Sequence, residues 1–209
     1  VAIDFKDPAN SIVRFINADL TGLGLALCII DCGADHAALT NEYASIPEEM
    51  SKVAAHFGKK VLREVKEEDL LADLAQVRKE AGDRAVLRAL HFYADDRRAA
   101  EAADALERKD KEAFLNLVKE SGRSSWELLQ NITPAAAITH QDMAVALAVA
   151  EKALNGKGAC RVHGGGFAGT IQAFVPVEDV CEFKKTMETM LSEGCCHVLS
   201  IRPAGGLIL

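Results

Sequence analysis

The chain has 209 residues, 49% apolar and 26% charged, which is enough to bury a core as one domain or two small ones. A formal charge of −7 with no basic stripe argues against a nucleic-acid partner, because nothing is available to neutralise phosphates along a groove. The six cysteines form no secretory framework, since Cys195 and Cys196 are adjacent and several others sit in apolar runs, and no signal peptide or long apolar span appears. A reducing cytoplasm and no membrane partner are therefore expected.

Residues 1–5, 12–17 and 23–31 alternate or run apolar with β-branched side chains and predict three strands. Cys28, Cys32 and His36 follow at four-residue intervals. Three candidate ligands at that spacing match no common zinc pattern, so the cysteines read as buried strand residues and no metal ligand is assigned. Asp35 and His36 lie just past a strand, and adjacent residues of an extended chain point to opposite faces. A helix-entry or loop-stabilising role is expected for them.

The middle of the chain is helical. Ser45-Ile-Pro-Glu48 has the form of a capping box and predicts a helix from there to Gly58. The charged stretch 63–73 is the nearest thing to a domain boundary and divides the chain into 1–62 and 63–209, unless the two form one unit. Residues 83–108 predict a long helix with Val86, Leu87, Leu90 and Tyr93 on its apolar side, His91 on a helix face, and the Asp95-Asp96-Arg97-Arg98 run as a solvated face. A shorter helix is predicted from an Asp110 cap to Ser121 with Gly122 as its stop. Ser124-Ser-Trp-Glu127 repeats the capping pattern, so Ser121, Ser124 and Ser125 read first as caps, and Thr139-His-Gln-Asp142 precedes an alanine-rich helix ending near Gly156.

Beyond Gly158 the pattern becomes strand, glycine loop, strand, helix, strand, over 159–163, 170–175, 177–191 and 195–201. The fold class is α+β, with an antiparallel sheet and segregated helices. Four of the fifteen glycines, Gly164, Gly165, Gly166 and Gly169, fall within six residues of the loop. A tight hairpin needs only one or two, so the spacing favours a loop that brings its backbone against a ligand, where successive N–H groups can converge on an anion. His163 precedes the glycines and has no assigned role, and Arg161 is placed to pair with a phosphate or with a carboxylate across the sheet.

Arg161-Val-His-Gly-Gly-Gly-Phe-Ala-Gly-Thr170 resembles the C-terminal glycine-rich motif of galactokinases, members of the GHMP sugar and isoprenoid kinase superfamily. Ile30-Asp-Cys-Gly-Ala-Asp-His36 through Tyr43, Arg88-Ala-Leu-His-Phe-Tyr93 and Glu120-Ser-Gly-Arg-Ser-Ser-Trp126 resemble the C-terminal half of bacterial galactokinases in the same order. The family's Gly-Glu-His-x-Asp segment, its Pro-x-x-x-Gly-Leu-Ser-Ser-Ser nucleotide loop and its catalytic aspartate segment do not occur. The chain therefore reads as a galactokinase C-terminal half with no catalytic residue of its own. Ala168 stands where many relatives have glycine.

The resemblance implies a ferredoxin-like C-terminal domain with helices on one side of an antiparallel sheet plus additional helices. It implies phosphorylation of galactose by ATP with magnesium in the full-length protein. Tyr43, in Asn41-Glu42-Tyr43, matches a family tyrosine that contacts the sugar, whereas the residues alone suggest a core tyrosine near a helix start. Gly164, Gly165, Gly166, Phe167, Ala168 and Gly169 would contribute to the phosphate or nucleotide loop. N-acetylgalactosamine stands beside galactose as a substrate, and a galactose- or nucleotide-sensing regulator and a purely structural module are the alternative functions. The expected partners are the sugar, the missing N-terminal half and a second copy of the chain, the last two on an exposed apolar surface.

Overall fold

The computed structural model describes residues 1–33 and 39–201, so the Asp35 and His36 assignments fall outside the described residues. The chain opens with an antiparallel hairpin, β1 (Ala2–Asp4) on β2 (Ile12–Arg14). β3 (Leu25–Asp31) then starts a separate four-stranded sheet completed by β4 (Ala159–Val162), β5 (Thr170–Pro176) and β6 (Cys196–Leu199). Its order is β4-β5-β3-β6 with every neighbour antiparallel. Between β3 and β4 lie α1 (Thr40–His56), α2 (Glu67–Ala72), α3 (Leu74–Ala81), α4 (Asp83–Glu107), α5 (Lys111–Ser124) and α6 (Asp142–Leu154), while α7 (Val180–Met190) joins β5 to β6. Counting only the sheet and the helices α6 and α7 beside it, the order is strand, helix, two strands, helix, strand: a ferredoxin-like unit with α1 to α5 inserted in its first crossover.

Period-two alternation divides the sheet's side chains between two cores. Cys28, Ile30, Cys160, Val162, Ile171, Ala173 and Val175 face α6 and α7, packing with Met143, Leu147, Phe183 and Met187. Leu25, Ala159 and Phe174 point the other way, against Phe114, Leu115 and Val118 of α5. A third core joins α1, α3 and α4 through Val53, Val77, Val86 and Ala89. Among the described residues no helix is long and apolar enough to cross a membrane.

Several helix boundaries depart from the local signals. α1 begins at Thr40, so Ser45 and Pro47 lie inside it and Ser45 is no N-cap. The Ser45 hydroxyl instead donates to the Glu42 carbonyl at 2.7 Å, just upstream of the point where proline lacks an N–H. Asp110 does cap α5, accepting from the Ala113 N–H, but Gly122 does not stop it. A Cβ at Gly122 would lie 3.1 Å from both the Cys160 carbonyl oxygen and the Arg161 Cβ, so this glycine lets α5 approach β4 closely. The helix runs on through Ser124 into a π-helical turn, Ser125–Leu129, which replaces the predicted capping box.

The 95–98 run is not a uniformly solvated face. Asp95 is half-buried between α4 and α5 and accepts from the Ser121 hydroxyl at 2.6 Å and from Arg98 at 3.2 Å. Leu87 and Leu90 are only half-buried, and the buried positions of that helix are Ala85, Val86, Arg88, Ala89, His91, Ala103 and Ala105.

Candidate functional site

The glycine loop, between β4 and β5, meets the start of α1. The base of the loop is closed across the strands, with the His163 N–H donating to the Thr170 carbonyl at 3.1 Å and His163 Nδ1 lying 3.0 Å from Thr170 Oγ1. On the far side the Cys32 N–H donates to the Gly169 carbonyl at 2.8 Å, so the loop continues the β3–β5 ladder. The Tyr43 hydroxyl donates to the Gly166 carbonyl at 2.8 Å and its ring stands edge-on to Phe167, 5.5 Å between centroids. A Cβ at Gly165 would lie 2.8 Å from Tyr43 Cε1, so the tyrosine ring lies directly against the backbone there. Partial burial pushes the Tyr43 phenol up, which keeps it protonated and able to donate.

The loop has an inner and an outer part. Gly166, Phe167 and Ala168 are buried, whereas His163, Gly164 and Gly165 are exposed. The Phe167 N–H donates to the Asn131 carbonyl at 2.6 Å and the Ala168 N–H to the Gly166 carbonyl at 2.7 Å, so these two donors are committed within the protein. Phe167 itself adopts a left-handed conformation, φ 60°. Gly164 is also left-handed, φ 70°, and a Cβ there would meet nothing within 4 Å, so the outer turn faces open space. An anion can approach the loop at Gly164 and Gly165 rather than at the buried segment.

Two buried residues outside the loop, Asn131 and Arg88, support it, and neither has a role assigned from the sequence. Asn131, 2% exposed, follows the π-helical turn, which ends on Gln130 in the left-handed region. Its Nδ2 donates to the Gly165 carbonyl at 3.1 Å. Arg88 is fully buried and donates from Nε to the Leu129 carbonyl at 3.1 Å and from Nη1 to Ser45 Oγ and Glu49 Oε2, both at 2.9 Å. It thereby joins α1, two residues past Tyr43, to the turn that carries Asn131. Arg88 Nη2 and Asn131 Oδ1 are buried with no hydrogen-bond partner among the described residues. The signal for Arg88 was a charged residue on the apolar stripe of α4. No local pattern marked Asn131.

Other candidates lie apart from the loop. The Arg161 guanidinium, on the α5 face of the sheet, reaches Ser125 Oγ at 3.5 Å, and burial pulls its pKa down against the favourable field of Asp95. His91 is buried with Nδ1 at 2.8 Å from Ser124 Oγ, so it is a core histidine bonded to a serine that was expected to be a cap. Cys28, Cys160, Cys195 and Cys196 are buried, and burial pushes the half-buried Cys32 thiol up to about 12. Among the described residues, no group of three His, Cys, Asp or Glu side chains is placed to hold a metal ion.

No family model matches the chain. Its fold is that of the GHMP kinases: the galactokinase of Lactococcus lactis, solved in complex with galactose, superposes with a TM-score of 0.68 over 92% of this chain and 48% of that one, at 20% identity. By sequence, the galactokinase of Glaesserella parasuis is 30% identical over 162 residues, 78% of this chain and 40% of the relative. Human galactokinase is 37% identical over 145 residues, 69% of this chain and 34% of the relative. The chain belongs to the galactokinase family, and it spans about two fifths of the length of the curated relatives it matches.

Proposed function

We propose that this chain is the C-terminal portion of an ATP-dependent galactokinase whose complete protein converts galactose and ATP to galactose 1-phosphate and ADP. The observation that carries the reading is the 2.8 Å hydrogen bond that seats the Tyr43 hydroxyl on the glycine loop, so that an aromatic ring suited to a sugar face adjoins a backbone suited to phosphate. Tyr43 is the sugar contact in this reading. Gly164, Gly165 and Gly169 form the phosphate-facing backbone, while Gly166, Phe167 and Ala168 fix its shape.

Phosphoryl transfer rests on positioning and on donors aimed at the charge that develops on the transferred group. The outer turn fits that task, since it is exposed and open beyond Gly164. ATP would supply the phosphoryl group and magnesium would neutralise charge on it. No residue of this chain is assigned to the metal, the base or the adenine pocket, and residues 1–209 alone are expected to be inactive. The pairing of β3 with both β5 and β6 supports treating 1–62 and 63–209 as one unit. Unpaired, mostly buried cysteines favour the cytoplasm.

The test is transfer of label from γ-labelled ATP to galactose and to N-acetylgalactosamine, by the complete gene product and by residues 1–209. Phosphorylation by the complete protein alone is the expected result, with galactose preferred. Galactose binding without turnover would replace the kinase with a sensing regulator. Turnover by residues 1–209 alone would require a base within this chain.

A further inference from the structure

The buried Asn131 touches the glycine loop at three successive residues. Its Nδ2 donates to the Gly165 carbonyl at 3.1 Å and its main-chain carbonyl accepts from the Phe167 N–H at 2.6 Å. Between them, Gly166 packs so close that a Cβ would overlap the Asn131 carbonyl oxygen, and its left-handed φ of 83° is one that side chains rarely adopt. The Gly166 carbonyl in turn accepts the Tyr43 hydroxyl. Asn131 and Tyr43 therefore hold the same peptide segment. Behind them, Arg88 ties the Leu129 carbonyl, two residues before Asn131, to Ser45, two residues after Tyr43.

We propose that Asn131 is a positioning residue: it locks the outer Gly164–Gly165 turn and the Tyr43 hydroxyl into one rigid body, with Arg88 as the anchor behind it. The functional part of this assignment rests on the kinase reading above, in which the turn faces phosphate and the tyrosine faces sugar. A single residue, through its side-chain amide and its main-chain carbonyl, then sets the spacing of the two substrate-facing groups. Releasing it loosens both binding terms together, and does so without touching either substrate.

The test is Asn131→Ala in the complete protein, beside Tyr43→Phe and the double variant. KM for galactose and KM for ATP should rise together, each by roughly five- to tenfold, the range for one lost hydrogen bond. The double variant should lose less than the product of the single losses, because the two act on successive peptide groups, at the Gly165 and Gly166 carbonyls. A fall in kcat at unchanged KM values, or multiplicative losses in the double variant, overturns the assignment in favour of a purely structural asparagine.

Amide hydrogen exchange gives a second readout independent of activity. Asn131→Ala removes the Nδ2 bond to Gly165 but keeps the main-chain carbonyl that accepts from Phe167. If the side chain is what holds the loop in place, the Phe167 amide should exchange at least roughly tenfold faster while the amides of β5 keep their protection, a pattern of local rather than global opening. Unchanged exchange at Phe167 overturns the proposal. If the unaltered complete protein phosphorylates no sugar, the kinase reading fails on that result, and the exchange rates alone decide whether Asn131 locks the loop.

Discussion

Gly165 belongs to the open turn and Gly166 follows it directly, yet the two tolerate change for different reasons and to different degrees. At Gly166 the left-handed φ and the Asn131 carbonyl both oppose a side chain. Gly166→Ala should destabilise the protein by about 1–3 kcal/mol, through backbone strain and displacement of the loop. At Gly165 the obstacle is the Tyr43 ring, whose Cε1 would lie 2.8 Å from a new Cβ, and no left-handed φ is involved. Gly165→Ala should therefore push the ring aside and cost less stability than Gly166→Ala, with a larger relative effect on sugar binding. Urea denaturation and galactose titration of the same two variants check this ordering. The glycine cluster was visible in its residue types, whereas Tyr43 was marked only by the family resemblance. Asn131 was marked by neither, since its role is set by where a π-helical turn releases the chain, and that depends on what α5 packs against.

At the scale of elements, two histidines join helices and respond to pH in opposite senses. His56, at the end of α1, places Nε2 at 2.8 Å from Asp73 and Nδ1 at 2.7 Å from Glu80, so both ring nitrogens face carboxylates and the imidazolium is favoured. Hydrogen bonds to Glu80 and Asp73 raise its pKa in the folded state. Its stabilising contribution is complete below the unfolded value of about 6.5 and is lost as pH rises through the raised folded value.

His91 lies between α4 and α5, and burial lowers its pKa despite the nearby Asp95. The unfolded chain therefore takes up a proton that the folded protein resists, and stability falls as pH drops below about 6.5 toward the depressed value. Stability from this pair should peak near the ordinary histidine pKa. Melting curves across the range are expected to show the alkaline decline flattened in His56→Gln and the acid decline flattened in His91→Gln. Unaltered slopes in either variant would assign that decline to other groups.

For the molecule as a whole, the most conspicuous open surface is the β1–β2 hairpin. Ion pairs tie it down, from Arg14 to Asp104 at 2.8 Å and from Arg63 to Asp4 at 2.8 Å and to Asp96. Ile3, Phe5, Ile12, Val13 and Phe15 nevertheless remain exposed, Phe15 by 82%. Apolar side chains exposed in this way favour self-association. Residues 1–209 in isolation should self-associate, and Ile12→Lys with Phe15→Ser should weaken that association at least several-fold by light scattering. A monomer over a wide concentration range would contradict the expectation.

The strands, the long helix, the glycine loop and the family resemblance are written in local patterns: period-two alternation, turn chemistry and a motif of consecutive residues. Contacts between distant elements make Gly122 a packing contact and not a helix stop, and make Asp95 and Arg88 interior partners, while α1 begins early enough to take in Ser45. Such a contact also brings Tyr43, 123 residues before Gly166 in the chain, to donate to that residue's carbonyl. The reason is physical: a cap, a stop or a solvated charge is defined by what lies across from it. That neighbour is supplied by an element distant in sequence, brought near only when the sheet forms.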